Sequence, residues 1–204
     1  MSDINISLSQ FTDFSLKNGA ARTVKVREIK EQGEYHPAFD YWRELREGIK
    51  SFHENKLNAD FLIQIIDKVN PKKKMQYTEA VKQYMNFCRK KDIEWFDPGK
   101  AFWSSGELSV RATPELGLII NGQHHLIKLY FKDKTEKMEK RSATTTLTLM
   151  ASSTKSNQKE NALNCVLNIK KCALYPINDD DINKDMLLAL HGDAANFMSI
   201  WKNL

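Results

Sequence analysis

Glu115 and Lys128 are the residues whose types and spacing point most directly to chemistry, because a tight turn sets them opposite one another. Asn121-Gly122 lies between two apolar runs, and both residues tolerate the positive φ of a type I′ hairpin turn. A two-residue turn fixes register. With Asn121 and Gly122 central, Ile120 opposes Gln123, Leu118 opposes His125, and Leu116 opposes Ile127. The same register faces Ile119 with His124, Gly117 with Leu126 and Glu115 with Lys128, and it carries Tyr130 and Lys132 along that second face. Arg111 would approach Lys132 if the strand before Pro114 stays in line, although a proline argues against that extension. Opposite charges across a sheet contribute about 0.2–1 kcal/mol and help set register. They also decide what else can bind. A magnesium ion needs convergent oxygen ligands, and an ammonium facing a lone carboxylate occupies the cation's place and repels a divalent ion.

Other residue types that could do chemistry fit plainer roles. His124 and His125 are neighbours on a strand and point to opposite faces, so they cannot converge on one ion. His36, His53 and His191 have no Cys or carboxylate at ligand spacing, and Asp193 lies two residues from His191, off its helical face. Asp179-Asp180-Asp181 places negative charge ahead of the last helix, where the dipole favours it, and lacks the EF-hand pattern. Asp97-Pro98-Gly99-Lys100 contains a Gly-Lys but neither the first Gly nor the Ser/Thr of a P-loop. No GxSxG, HExxH or GxGxxG occurs, and no cofactor is expected. Trp95, Phe96, Phe102 and Trp103 interleave with Lys100; they either form a base-stacking platform or pin a loop onto the core.

The elements that must position these residues follow from periodicity. Ser7 or Ser9 caps a helix with apolar Leu8, Phe11, Phe14 and Leu16, ended by Asn18-Gly19. Thr23 to Arg27 reads as a short β-like run. His36-Pro37 opens a second helix striped by Phe39, Trp42, Leu45, Ile49 and Phe52; Asn58 caps a third with Leu62, Ile65, Ile66 and Val69. A fourth helix is expected from about Thr78 to Lys90, and Asp92 to Ser105 as an ordered loop. From Gly106 the period falls to two. Strands are expected at Glu107–Arg111, Leu116–Ile120 and His125–Lys132, then a helix near Met138–Ser152 and a polar linker to Asn161. Leu163–Ile169 and Ala173–Ile177 read as strands joined at Lys170-Lys171, and Asp185–Trp201 as a final helix.

This order of helix, three strands, helix and strand, with Pro114-Glu115 entering the second strand, resembles the core of the PD-(D/E)XK (restriction-endonuclease-like) superfamily over roughly Thr78 to Ile177. In that family an Asp after the Pro and the Glu of E-x-K, on neighbouring strands, hold magnesium while the Lys assists the attacking water. Here the next strand offers Lys128-x-Tyr130 or Tyr130-x-Lys132, and it has no second carboxylate. The resemblance therefore implies a nuclease-like fold with a charge-swapped, inactive metal site. Glu115 and Lys128 stand at the catalytic positions, and a residual metal-dependent nuclease would require Glu115 together with Glu107 or Glu79.

Composition bounds the remaining choices. The 204 residues carry 31 basic and 26 acidic side chains, a formal charge of +5, with only 8 Gly and 5 Pro. This suits one α+β domain over residues 1–204 with no disordered or fibrous character: a helical layer at 1–74 and an α/β core with its C-terminal helix at 75–204, which the resemblance implies is a nuclease-like meander. Charges interrupt every apolar run, which excludes a membrane span of about 18 residues. The first residues lack the pattern of a secretory signal, and three cysteines without CxxC spacing suit a reducing cytoplasm. The basic excess clusters at Lys72–Lys74, at Arg89–Lys91 and from Lys132 to Arg141. The expected role is metal-independent binding of DNA or RNA, with Tyr130, Lys132, Lys137, Lys140 and Arg141 near the ligand. A metal-dependent nuclease and a protein-interaction or self-associating module without nucleic acid are the alternatives.

Overall fold

The computed structural model describes residues 4–32, 40–131, 140–157 and 159–204, with only the backbone described at 140–142. Among the described residues the chain forms seven α-helices and nine strands, a mixed α+β fold with two sheets. The helices are α1 (Leu8–Ser15), α2 (Ala20–Glu31), α3 (Arg43–Glu54), α4 (Ala59–Lys68), α5 (Pro71–Cys88), α6 (Lys140–Ala151) and α7 (Lys184–Asn203). The strands are β1 (Ile4–Ser7), β2 (Ile93–Trp95), β3 (Ala101–Ser105), β4 (Leu108–Arg111), β5 (Leu116–Ile120), β6 (Gln123–Tyr130), β7 (Thr154–Lys155), β8 (Leu163–Asn168) and β9 (Ala173–Ile177).

Local chemistry sets several boundaries. Ser7 Oγ accepts the Gln10 N–H at 3.2 Å while Gln10 Oε1 accepts the Ser7 N–H at 2.8 Å, a reciprocal cap that starts α1. Asn70 Oδ1 accepts the Lys72 N–H at 2.9 Å, and Pro71 takes the first helical position of α5. The helix expected from Thr78 therefore begins seven residues earlier, because Pro71 opens α5 rather than merely closing α4. Asn183 Oδ1 accepts the Met186 N–H at 3.0 Å and starts α7.

The five-stranded sheet, in the order β2-β5-β6-β8-β9, positions Glu115 and Lys128. β5 pairs antiparallel with β2 on one side and with β6 on the other; the chain then passes through α6 and returns as β8, parallel to β6. One face of this sheet (Leu116, Leu118, Ile127, Leu129, Cys165, Leu167) packs on α3, α4 and α5 through Leu45, Ile49, Leu62, Tyr77, Tyr84 and Phe87. The other face meets α6, where Ala143 and Leu147 cover Val166, Tyr130, Tyr175 and Ile177. The second sheet, β1-β4-β3-β7, builds a separate core with α1, α2 and α7 around Phe11, Phe14, Trp103, Val110 and Phe197. Leu149 and Met150 of α6 belong to this second core, so α6 joins that core to the outer face of the five-stranded sheet.

Four sequence expectations change. Thr23 to Arg27 lies in helix α2: burial of Val26 and Ile29, one helical turn apart, overrides the β preference of Thr and Val. Asp92 to Ser105 is more than a loop, since it contains β2 and β3. The expected meander also breaks. β4 pairs with β3 and β1, while β2 takes the place beside β5, so Arg111 opposes Phe102 and Ser7 and lies in a different sheet from β6. The break falls at Ala112-Thr113-Pro114, where proline cannot continue a ladder. Finally, the N-terminal residues do not form one helical layer: α3 and α4 join the first core, α1 and α2 the second, and β1 adds a strand. His36-Pro37 and Phe39 lie outside the described residues. Among the described residues, no helix is long and apolar enough to cross a membrane.

Candidate functional site

The hairpin forms in the expected register, with Leu116 opposite Ile127, Gly117 opposite Leu126, Leu118 opposite His125, Ile119 opposite His124 and Ile120 opposite Gln123. Asn121 and Gly122 both adopt positive φ, at 50° and 83°. One step beyond the ladder, Glu115 donates its N–H to Ile127 O at 2.9 Å, and its side chain meets Lys128 in an ion pair. The two side chains are 17% and 18% exposed, so the pair is largely withdrawn from water. The other carboxylate oxygen of Glu115 accepts the Leu129 N–H at 2.9 Å. Arg46 Nε of α3 stands 4.0 Å from Glu115, and Arg46 is itself paired with Asp40. The result is an alternating chain Asp40–Arg46–Glu115–Lys128 that ties α3 to the hairpin. Both oxygens of Glu115 are occupied by donors.

The remaining expected site residues are spread apart. Tyr130 is half-buried and packs toward α6. Glu107 pairs with Lys202 at 2.9 Å at the edge of the other sheet, and Glu79 accepts from Gln83 Nε2 at 2.7 Å on the exposed side of α5. No group of three His, Cys, Asp or Glu able to hold a metal ion occurs among the described residues. Lys132 and Lys137 lie outside the described residues, and Lys140 and Arg141 are described only as the first backbone positions of α6.

Beside Glu115 lies a cleft that periodicity and motif do not reveal, with a volume of about 520 Å³. Its walls are α3, contributing Arg46, Glu47 and Lys50, and the loop Asp97–Lys100, with Thr113 and Ser156 between them. The loop is locked from both sides. Asp97 Oδ1 accepts the Gly99 N–H at 3.0 Å, Asp97 O accepts Asn157 Nδ2 at 2.7 Å, and Ser156 Oγ accepts the Lys100 N–H at 2.8 Å. Gly99 is required here, with φ at +67° and a Cβ that would come within 2.7 Å of Ser156 Oγ. The Asp-Pro-Gly-Lys tetrapeptide was the one visible signal of this wall, but Ser156 is 56 residues away and only folding brings it in.

The other candidates have structural roles. His124 packs edge-on to Phe96 at 5.1 Å, whereas His125 is buried and bonds to Gln123 O through Nδ1 at 2.7 Å; burial lowers the His125 pKa. His53 is buried and shares a hydrogen bond with the Tyr84 hydroxyl. Burial pushes the His53 pKa down to about 4 and raises that of Tyr84. His191 bonds to Ser105 Oγ at 3.0 Å, and Asp193 pairs instead with Arg22 at 2.7 Å. Asp179 accepts from Asn164 Nδ2 at 2.9 Å and Asp181 from the Asn178 N–H at 3.0 Å, closing a short turn before α7. Trp103 is buried in the second core and Trp95 packs on the first, so these aromatics pin the chain; Phe102 alone of the four is exposed. Comparison with protein-family models and with curated proteins yields no match for this chain.

Proposed function

We propose that this protein binds nucleic acid without a metal ion and without cleaving it, on a core of the restriction-endonuclease-like kind. One observation carries the reading: Glu115, the carboxylate at the position where that family would hold magnesium, already accepts from Lys128 and from the Leu129 N–H. A divalent ion would have to displace an ammonium and would find no second carboxylate on β6. The order α5, β2, β5, β6, α6, β8 around one sheet, interrupted by β3-β4 and by β7 of the other sheet, with helices covering both faces, supports the core. The formal charge of +5 and the basic run from Lys132 to Arg141 support an anionic polymer as the partner. Free Cys88, Cys165 and Cys172 suit a reducing cytoplasm.

The test is fluorescence anisotropy with labelled DNA and RNA over a range of salt. Affinity is expected to fall steeply with salt, to be unchanged by magnesium or chelator, and to leave the strand intact. Neutralising Lys132, Lys137, Lys140 and Arg141 together lowers the salt slope by up to about 4, close to one for each phosphate that is no longer neutralised. Absence of salt-sensitive binding, or chelator-sensitive cleavage abolished by Glu115→Ala, overturns the reading; self-association without nucleic acid would favour an interaction module instead.

A further inference from the structure

We propose that the cleft between α3 and the Asp97–Lys100 loop binds the phosphate of a phosphomonoester, either free or at the end of a nucleic-acid strand. The inference goes beyond general nucleic-acid binding and rests on which polar groups in the cleft are already used. Every carboxylate lining it has a donor. Glu47 accepts from Arg43 at 2.8 Å, Asp97 from the Gly99 N–H at 3.0 Å, and Glu115 from Lys128 and the Leu129 N–H.

Of the three cations lining the cleft, Arg46 is held by Asp40 and Glu115, whereas the two lysines are less committed. Lys50 has its nearest carboxylate, Glu54, only at 4.0 Å, with both side chains about half-exposed. Lys100 has no side-chain partner among the described residues, and its backbone is clamped by Ser156 through both N–H and carbonyl, each at 2.8 Å. Ser156 Oγ accepts from Lys100, so its own proton remains available to donate. Beside one further oxygen each on Glu47 and Asp97, the capacity that remains is on the donor side: two ammoniums from opposite walls and a hydroxyl, one ammonium on a rigid loop.

An acceptor-rich anion is the complement of such a set. A phosphomonoester carries close to two negative charges near neutral pH and matches two ammoniums, whereas a backbone diester carries one. The volume of about 520 Å³ exceeds what phosphate alone fills, and it falls within the range of small-molecule sites, leaving room for a nucleoside.

The test uses the full chain with uniform ¹⁵N label, titrated with inorganic phosphate and with adenosine monophosphate. In parallel, anisotropy compares an oligonucleotide bearing a 5′-phosphate with the same strand bearing a 5′-hydroxyl. Adenosine monophosphate is expected to move the Gly99, Lys100 and Ser156 amides, and the effect weakens as pH falls through about 6, where the monoester gains a proton. Lys50→Gln with Lys100→Gln, both at exposed positions, is expected to weaken binding about tenfold with the fold intact. If the monophosphate is silent but the 5′-phosphorylated strand binds more tightly, and the double variant erases that gain, the ligand is a strand end and the site stands. The proposal is overturned if phosphate, monophosphate and 5′-phosphate all leave these amides and the affinity unchanged, or if the double variant binds as the wild type does. Retention of the 5′-hydroxyl strand reports general nucleic-acid binding separately, so the two readings fail independently.

Discussion

At the scale of single residues, the structure is governed by charges and polar groups that have been taken out of water with a partner. Glu115→Ala removes the acceptor of both Lys128 and the Leu129 N–H, leaving two half-buried donors unmet. We expect a loss of about 1–3 kcal/mol, read as a lower urea midpoint, while Glu115→Gln, which keeps an acceptor for the N–H, loses less. His53 acts through the same physics with protons. Its pKa falls from an ordinary 6.5 to about 4 in the fold, so between these values the unfolded chain binds the proton and the folded chain does not. The His53 contribution is thus fully present above about pH 6.5 and is lost as pH falls through 4, on the order of 3 kcal/mol by that point. Thermal unfolding followed from pH 7 to 4 should show this slope, and His53→Gln should flatten it. Neither the burial of His53 nor its Tyr84 partner, 31 positions away, was legible in the sequence. The Glu115–Lys128 pair was legible, because a two-residue turn transmits register by simple counting.

At the scale of elements, the hairpin and its neighbours separate two reasons for glycine. Gly122 has φ at +83° with nothing near its missing Cβ, so Gly122→Ala meets conformational strain alone, about 1 kcal/mol or slightly more. Gly117 lies where β2 runs on into Phe96, whose N–H bonds to Gly117 O at 3.0 Å. A Cβ at Gly117 would stand 2.3 Å from Phe96 O, a backbone atom that cannot swing away. Gly117→Ala is therefore expected to cost more than Gly122→Ala, about 2–3 kcal/mol, in the same denaturant titration. Equal losses at the two positions would contradict this account. Turn chemistry showed the first glycine in the sequence, but the second depended on the position of β2. That strand was hidden in an apparent loop because three residues carry too little periodicity to be recognised.

At the scale of the whole molecule, α6 ties the second core to the five-stranded sheet: Leu147 packs on the sheet face opposite the first core, while Leu149 and Met150 enter the second core. The chain also crosses repeatedly between the two sheets, from β2 to β3, from β4 to β5, from β6 to β7 and from β7 to β8. The cores should therefore unfold together. Tryptophan fluorescence, reporting Trp103 in one core and Trp42 and Trp95 against the other, should give the same midpoint as far-ultraviolet circular dichroism. Leu149→Ala, at a fully buried position, is expected to lower that common midpoint by about 2–5 kcal/mol without splitting it. Two resolved transitions would show instead that each sheet with its helices is an independent unit.

The sequence by itself determined what acts over a few residues. A serine cap on α1, the stripe of α3, the final helix, the Asn121-Gly122 turn and the face-to-face placement of Glu115 and Lys128 all follow from propensity, periodicity and turn geometry. Only the tertiary structure decided which strands became neighbours and which charges were shared. It moved β4 to a second sheet, made a helix of Thr23 to Arg27, brought Arg46 to Glu115, and folded Ser156 against Lys100 to close a cleft. The physical reason is that hydrogen-bonded strand edges and apolar faces accept any complementary partner. The choice among partners is made by burial and exclusion across the whole chain, which no local pattern encodes.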